Sequence, residues 1–242
     1  MSEAENIHMP CAGIILCGGN SSRMGYPKAL LPFGPELMLQ RVARLLGEVV
    51  ETIIVVAAPG QDLPPLPDSV RVVRDRREGR GPLEGIAAGL AALVEPHALA
   101  SGPQQGAGVR ECGGAGVKRC RAFVTSCDAP LLVPAFVRRM IDLADGYDIA
   151  VPRTEGFYHS LAAVYGTRML PQIEAMLAED CLKPLDLFAR VNTRIVEEYE
   201  LRDVDPELAT LRNCNRAEDY LAVLKAVGFT VDPTTLGSIA SR

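Results

Sequence analysis

The chain predicts an α/β fold, doubly wound around a mostly parallel sheet. Three observations carry this. Short runs rich in β-branched residues recur along the chain. Continuous runs of this kind suit a parallel sheet covered on both faces. Segments of helical periodicity separate them, which is the βα alternation of a doubly wound domain. At 242 residues and 48% hydrophobic, the chain can bury a sizeable core, and we read 1–242 as a single domain.

The first strand is expected at Ala12–Leu16, a wholly apolar run that stops at glycines. Leu37–Val49 follows with helical spacing. Thr52–Ala58 (TIIVVAA) and Val70–Arg74 are the next strands, separated by Pro59–Pro67, a proline-rich surface loop. A helix over Leu83–Leu93 opens on Gly81-Pro82, where a first-turn proline is tolerated. Residues 97–118 are glycine-rich, have no usable periodicity and read as a flexible insertion. Arg121–Ser126 (RAFVTS) and Tyr147–Pro152 read as strands on either side of a helix at Pro134–Ala144. Helices at Thr167–Ala178 and Arg216–Val227 complete the pattern, Phe157–Arg202 is a candidate lobe, and 231–242 reads as a loose tail.

Bulk properties exclude several classes. The net charge is −5 with acids and bases mixed, unlike a general nucleic-acid binder. The acidic start MSEAENIHMP lacks the pattern of a signal peptide. The longest apolar stretches fall well short of the roughly 20 residues of a membrane helix. Seven scattered cysteines fit reduced thiols in a cytoplasm better than a disulfide framework. The expectation is a cytoplasmic protein with no membrane and no nucleic-acid partner.

The most informative stretch is Leu16–Gly34, LCGGNSSRMGYPKALLPFG. Glycines, small hydroxyl residues, an arginine and a lysine crowd into a few positions after the first strand. Such a loop can present backbone N–H groups to an anion while two cations reach in from the side. Gly18 and Gly19 remove Cβ atoms where phosphate oxygens would approach. Arg23 offers a planar fork and Lys28 a mobile point charge, while Pro27 biases Tyr26 towards extended backbone. The spacing is neither a Walker A motif nor a G-x-G-x-x-G dinucleotide fingerprint. We read the loop as a binding site for a nucleoside triphosphate, with Leu16, Gly18, Gly19, Ser21 and Lys28 as candidate contacts.

Two further segments carry chemistry on their own terms. Free N–H groups at the helix start Gly81-Pro82-Leu83 can meet a nucleobase or ribose. Asp128, in VTSCDAP, lies just past a buried strand, where α/β folds present site residues. A lone carboxylate there suits Mg²⁺, with phosphate and water completing the shell. Helix capping is the competing role, but Pro134 as first-turn residue makes Asp128 too early for it.

Leu16–Leu31 resembles LxGGxSxRMGxxKxLL, the signature of the molybdenum cofactor nucleotidyltransferases. These belong to a superfamily with a Rossmann-like core. The resemblance runs from Ile14 to Leu221 and includes Asp75 followed by GPLxGI, the CDxP motif at Cys127–Pro130, and Arg212–Asp219 against NxNTPEDL. It implies that Asp75, Gly81, Pro82 and Leu83 bind the nucleoside, that Asp128 holds Mg²⁺, and that Asn213 or Asn215 completes the metal site. Asn215 followed by Glu218 is also a capping-box pattern. His159, in a segment resembling HPL, would face the second substrate or serve structurally. Lys183 and Arg190 would meet its phosphate or lie on solvated faces.

The resemblance implies transfer of GMP from GTP to the molybdenum cofactor (molybdopterin phosphate), with release of pyrophosphate. Arg23, Lys28 and Asp128 would be catalytic, Mg²⁺ the cofactor, and proteins that donate or accept the pterin further partners. Gly18-Gly19 points to the guanylyl branch, while Pro27–Pro32 also suits the cytidylyl branch. A pterin cytidylyltransferase, a sugar-phosphate nucleotidyltransferase and a non-catalytic nucleotide- or pterin-binding module are the alternatives.

Overall fold

The computed structural model describes residues 10–18, 26–75, 79–94 and 120–230. The insertion at 97–118, the tail at 231–242, and Gly19, Ser21 and Arg23 lie outside them. In chain order the elements are β1 (Cys11–Leu16), β2 (Pro32–Phe33), β3 (Glu36–Leu37), α1 (Met38–Gly47), β4 (Ile53–Ala57), β5 (Val70–Arg74) and α2 (Pro82–Val94). Then come β6 (Arg121–Ser126), α3 (Pro134–Leu143), β7 (Ile149–Thr154), β8 (Phe157–Tyr158) and β9 (Ala162–Gly166). The last are α4 (Leu170–Ala178), α5 (Pro184–Phe188), β10 (Thr193–Glu197) and α6 (Ala217–Ala226). None of the described helices is long and apolar enough to cross a membrane.

The main sheet has eight strands among the described residues, in the order β10-β7-β9-β6-β1-β4-β5, with β8 paired to β7. The pairs β6–β1, β1–β4, β4–β5 and β7–β10 are parallel, while β9 runs antiparallel to both β6 and β7. In the central strands side chains alternate between two buried layers, which is why β1, β4 and β9 are buried almost end to end. Ile15, Val55, Phe123 and Val164 pack with Leu39, Val42 and Leu46 of α1 and with Phe136 and Met140 of α3. Ile14, Leu16, Val56, Val124 and Tyr165 pack with Leu83, Ile86 and Leu90 of α2 and with Ile173 and Met176 of α4.

From β1 the chain builds outward through β4 to β5, then returns through α2 to lay β6 on the other side of β1. The carboxyl ends of β1 and β6 therefore flank the point where strand order reverses, the crevice in which open α/β sheets bind ligands. A third cluster, with Leu31, Phe33, Met38, Tyr220 and Leu224, packs α6 against the β2–β3 hairpin beside this crevice.

The structure differs from the sequence reading in several places; among them the β2–β3 hairpin, β8, β9 and α5 are additional elements. The helix expected from Thr167 begins at Leu170, after a 3₁₀ turn over Thr167–Met169. Pro171 sits in its first turn and cannot occupy a helix interior. The candidate lobe 157–202 contributes β8, β9 and β10 to the same sheet. Strand β10 went unread because Thr193–Glu197 is a half-buried edge strand without a continuous apolar run.

Helix α2 lies close on β1 because Gly89 carries no side chain: a Cβ there would stand 2.7 Å from Ile14 Cγ2. Gly89→Ala is expected to overpack this contact and cost about 1–3 kcal/mol. The measurement is the denaturant midpoint, and an unchanged midpoint would contradict the close packing.

Candidate functional site

Lys28 and Asp128 meet at the carboxyl ends of β1 and β6. Lys28 starts a 3₁₀ turn over Lys28–Leu30, and Pro27 (φ −61°) sets the approach to it. Its Nζ donates to Asp128 Oδ2 at 2.5 Å and to Asn215 Oδ1 at 3.1 Å. The side chains of Lys28 and Asp128 are only 19% and 11% exposed, so the pair is largely withdrawn from water.

Two further contacts fix Asp128, and a third holds Pro130, two residues on. Ser126 Oγ donates to Asp128 Oδ1. The backbone N–H of Cys214 donates to the Asp128 carbonyl at 2.8 Å. Arg41 of α1 donates from Nε to the Pro130 carbonyl at 2.8 Å while its guanidinium lies 4.7 Å over the Phe33 ring. Ser126 is the last residue of β6 and Asp128 stands in the turn that follows, so this contact is local in sequence. The contacts of Arg41 and Cys214 bind remote main chain, and no local pattern announces them.

Asn215 does not cap α6, contrary to the capping-box reading. Arg216 is the N-cap residue, and Asp219 Oδ2 accepts from the N–H groups of Asn215 at 3.1 Å and Arg216 at 2.9 Å. This leaves the Asn215 carboxamide oxygen for Lys28. Asn213 contributes its carbonyl, which accepts from Asn215 N–H at 3.1 Å.

On the other flank of β1, Leu16 is buried and Gly18 is exposed. A Cβ on Gly18 would lie 2.9 Å from Asp75 Oδ2, so the Asp75 carboxylate stands directly against the start of the glycine loop. Asp75 is held there by its N–H, which donates to the Ala57 carbonyl at 2.9 Å. Gln61, in the proline-rich loop, was not foreseen: its Nε2 donates to the Cys17 carbonyl at 3.1 Å. Helix α2 begins at Pro82 as expected, with Leu83 buried and Gly81 at φ +74°. Cys17 and Cys127 are buried beside the crevice, and a hydrogen bond between them, together with burial, holds Cys17 as a thiol.

The remaining candidates fall further out. Lys183 is exposed at the start of α5, next to Leu182, whose carbonyl is 4.0 Å from the Cβ position of Gly81. Arg190 pairs with Glu179 at 3.7 Å on the surface. His159 is half-buried after β8, with Nε2 at 2.6 Å from Thr154 Oγ1. A groove of about 690 Å³, lined by Gln40, Arg44, Glu48, Ile53 and Val70, lies at the amino ends of β4 and β5, away from these residues.

The acceptors that converge on Lys28 Nζ are a carboxylate and a carboxamide oxygen, already aimed at a cation. That set fits a hard divalent ion. Among the described residues, no group of three or more His, Cys, Asp and Glu could hold a metal. An ion here would take its other ligands from phosphate and water, the habit of Mg²⁺.

A doubly wound sheet with a lysine, an acid and an amide at its switch point defines a nucleotide-binding α/β domain. The profile of the MobA-like NTP transferase domain matches residues 13–192, and the chain belongs to that nucleotidyltransferase family. A protein of Pelotomaculum thermopropionicum named "Probable molybdenum cofactor guanylyltransferase" is 34% identical, over 88% of this chain and 91% of its own. A protein of the same name from Methanosarcina acetivorans is 32% identical, over 89% and 91%. Among solved structures, molybdopterin-guanine dinucleotide biosynthesis protein A of Archaeoglobus fulgidus superposes with a TM-score of 0.65 at 17% identity, covering 90% of this chain and 97% of its own. A manganese complex of Rv0371C from Mycobacterium tuberculosis superposes with a TM-score of 0.54 at 16% identity, covering 90% and 99%. These two structures establish the fold.

Burial lowers the His159 pKa below its ordinary 6.5. The folded protein therefore resists a proton that the unfolded chain accepts. The stability this represents is present above the unfolded value and is lost as pH falls through the folded one. Between about pH 7.5 and about pH 5, His159→Gln is expected to lose less melting temperature than the parent protein. Equal losses would contradict a buried neutral imidazole.

Proposed function

We propose that the chain transfers GMP from GTP to the terminal phosphate of molybdopterin, forming the guanine dinucleotide cofactor and releasing pyrophosphate. The observation that carries this reading is the convergence of Lys28, Asp128 and Asn215 at the switch point of a nucleotidyltransferase fold. The guanylyltransferase name of the relatives and the Gly18-Gly19 pair favour guanine.

In this reading the main chain at Leu16, Gly18 and Gly19, with Ser21, cradles the triphosphate. Asp75, Gly81, Pro82 and Leu83 receive the nucleoside, and Lys183, beside the start of α2, meets the pterin phosphate. The acceptor phosphate oxygen attacks the α-phosphorus, the bond from that phosphorus to the β-bridging oxygen breaks, and pyrophosphate leaves with the electron pair. The nucleophile is already an anion, so no protein base is required. Lys28 and Arg23 neutralise charge on the departing pyrophosphate, and catalysis is alignment plus electrostatics. Asp128 and Asn215 would hold Mg²⁺, which when bound supplies charge neutralisation at phosphate oxygens. The pterin would come from, and the product pass to, other proteins of the same cytoplasmic route.

Pyrophosphate release in the presence of GTP, Mg²⁺ and the pterin tests the assignment. Lys28→Ala is expected to lose about 10²- to 10³-fold in turnover while its melting curve stays cooperative. Unchanged turnover would remove Lys28 from the mechanism. Asp128→Asn is expected to abolish the metal-dependent reaction, and an unchanged metal titration would put the ion elsewhere. GTP should outcompete CTP and UTP; preference for CTP would make this a cytidylyltransferase.

A further inference from the structure

The two oxygens best placed to hold a divalent ion are both taken by one ammonium. Lys28 Nζ lies 2.5 Å from Asp128 Oδ2 and 3.1 Å from Asn215 Oδ1, and the second Asp128 oxygen accepts from Ser126 Oγ. The main chain that carries both groups is fixed in place. The Asp128 carbonyl is bonded to Cys214 N–H at 2.8 Å, and Asn215 N–H is held by Asp219 at 3.1 Å. A dication and an ammonium cannot share this point, because like charges at such separations repel strongly in a partly dry site. The ammonium, in contrast, rides on a flexible four-carbon stem.

We infer that Lys28 is an internal counter-cation that occupies the metal site of the nucleotide-free protein, so that metal and nucleotide load together. The inference rests on the metal–nucleotide reading of Lys28 and Asp128 given above. An arriving triphosphate offers the ammonium stronger acceptors and draws it off Asp128 and Asn215, whose oxygens then accept the ion. Linkage makes the effect reciprocal: the metal must tighten the nucleotide by the factor by which the nucleotide tightens the metal.

The test is Mn²⁺ binding to the full chain, followed by the electron paramagnetic resonance of the free ion. Lys28→Met keeps the stem and removes the charge, and it is expected to bind Mn²⁺ about tenfold more tightly than the parent protein without nucleotide. Lys28→Arg keeps the charge and is expected to stay weak. No gain in Lys28→Met, or an equal gain in Lys28→Arg, overturns the inference. A check needing no variant is the parent protein with a non-hydrolysable GTP analogue. Mn²⁺ should bind the protein–nucleotide complex more tightly than either component alone, and equal affinity with and without the analogue overturns it. Adding Asp128→Asn to Lys28→Met should erase the gain. A gain that survives places the ion elsewhere and sinks the metal-site reading itself. A missing gain, with metal-dependent turnover still lost in Asp128→Asn alone, sinks only the counter-cation.

Discussion

The ion pair between Lys28 and Asp128 is the interaction on which the rest of this structure turns. The partners are 100 residues apart in sequence and stand on different sides of the sheet's switch point. A largely buried pair is not an obvious source of stability, since desolvation offsets much of its attraction. Its value is positional. It requires the loop after β1 and the loop after β6 to face one another, with charges that suit a triphosphate and a divalent ion.

The surrounding packing serves that requirement. Two buried layers hold β1 and β6 in parallel register, Leu16 beside Ser126, so both loops leave the sheet at the same height. The third cluster then brings the end of the chain across. Tyr220 donates its hydroxyl to the Pro32 carbonyl, Phe229 meets Phe33 edge-on at 5.7 Å, and the Cys214 N–H reaches the Asp128 carbonyl. Residues 212–229 thus fasten the segment bearing Lys28 to the segment bearing Asp128, and Asn215 arrives between them. The site is assembled from three stretches of chain that only the completed fold brings together.

Much of this was legible in the residues. Apolar runs located β1, β4 and β6, and an acid just past a buried strand marked Asp128, because both follow from local physics. The failures are equally physical. Edge strand β10 is only half-buried and shows no continuous run. Asn215 matched a capping pattern, yet Asp219 supplies the cap, so two local rules competed and the tertiary partner, Lys28, decided. Gln61 and Arg41 act by donating to distant carbonyls, and such contacts leave no periodic trace.

The most direct measurement is a crystal structure with Mn²⁺ and a non-hydrolysable GTP analogue. The account predicts anomalous scattering from the ion at Asp128 and Asn215, the triphosphate along the loop that follows β1, and the Lys28 ammonium turned onto a phosphate oxygen. An ion held elsewhere, or a nucleotide seated in the groove at the amino ends of β4 and β5, would contradict it.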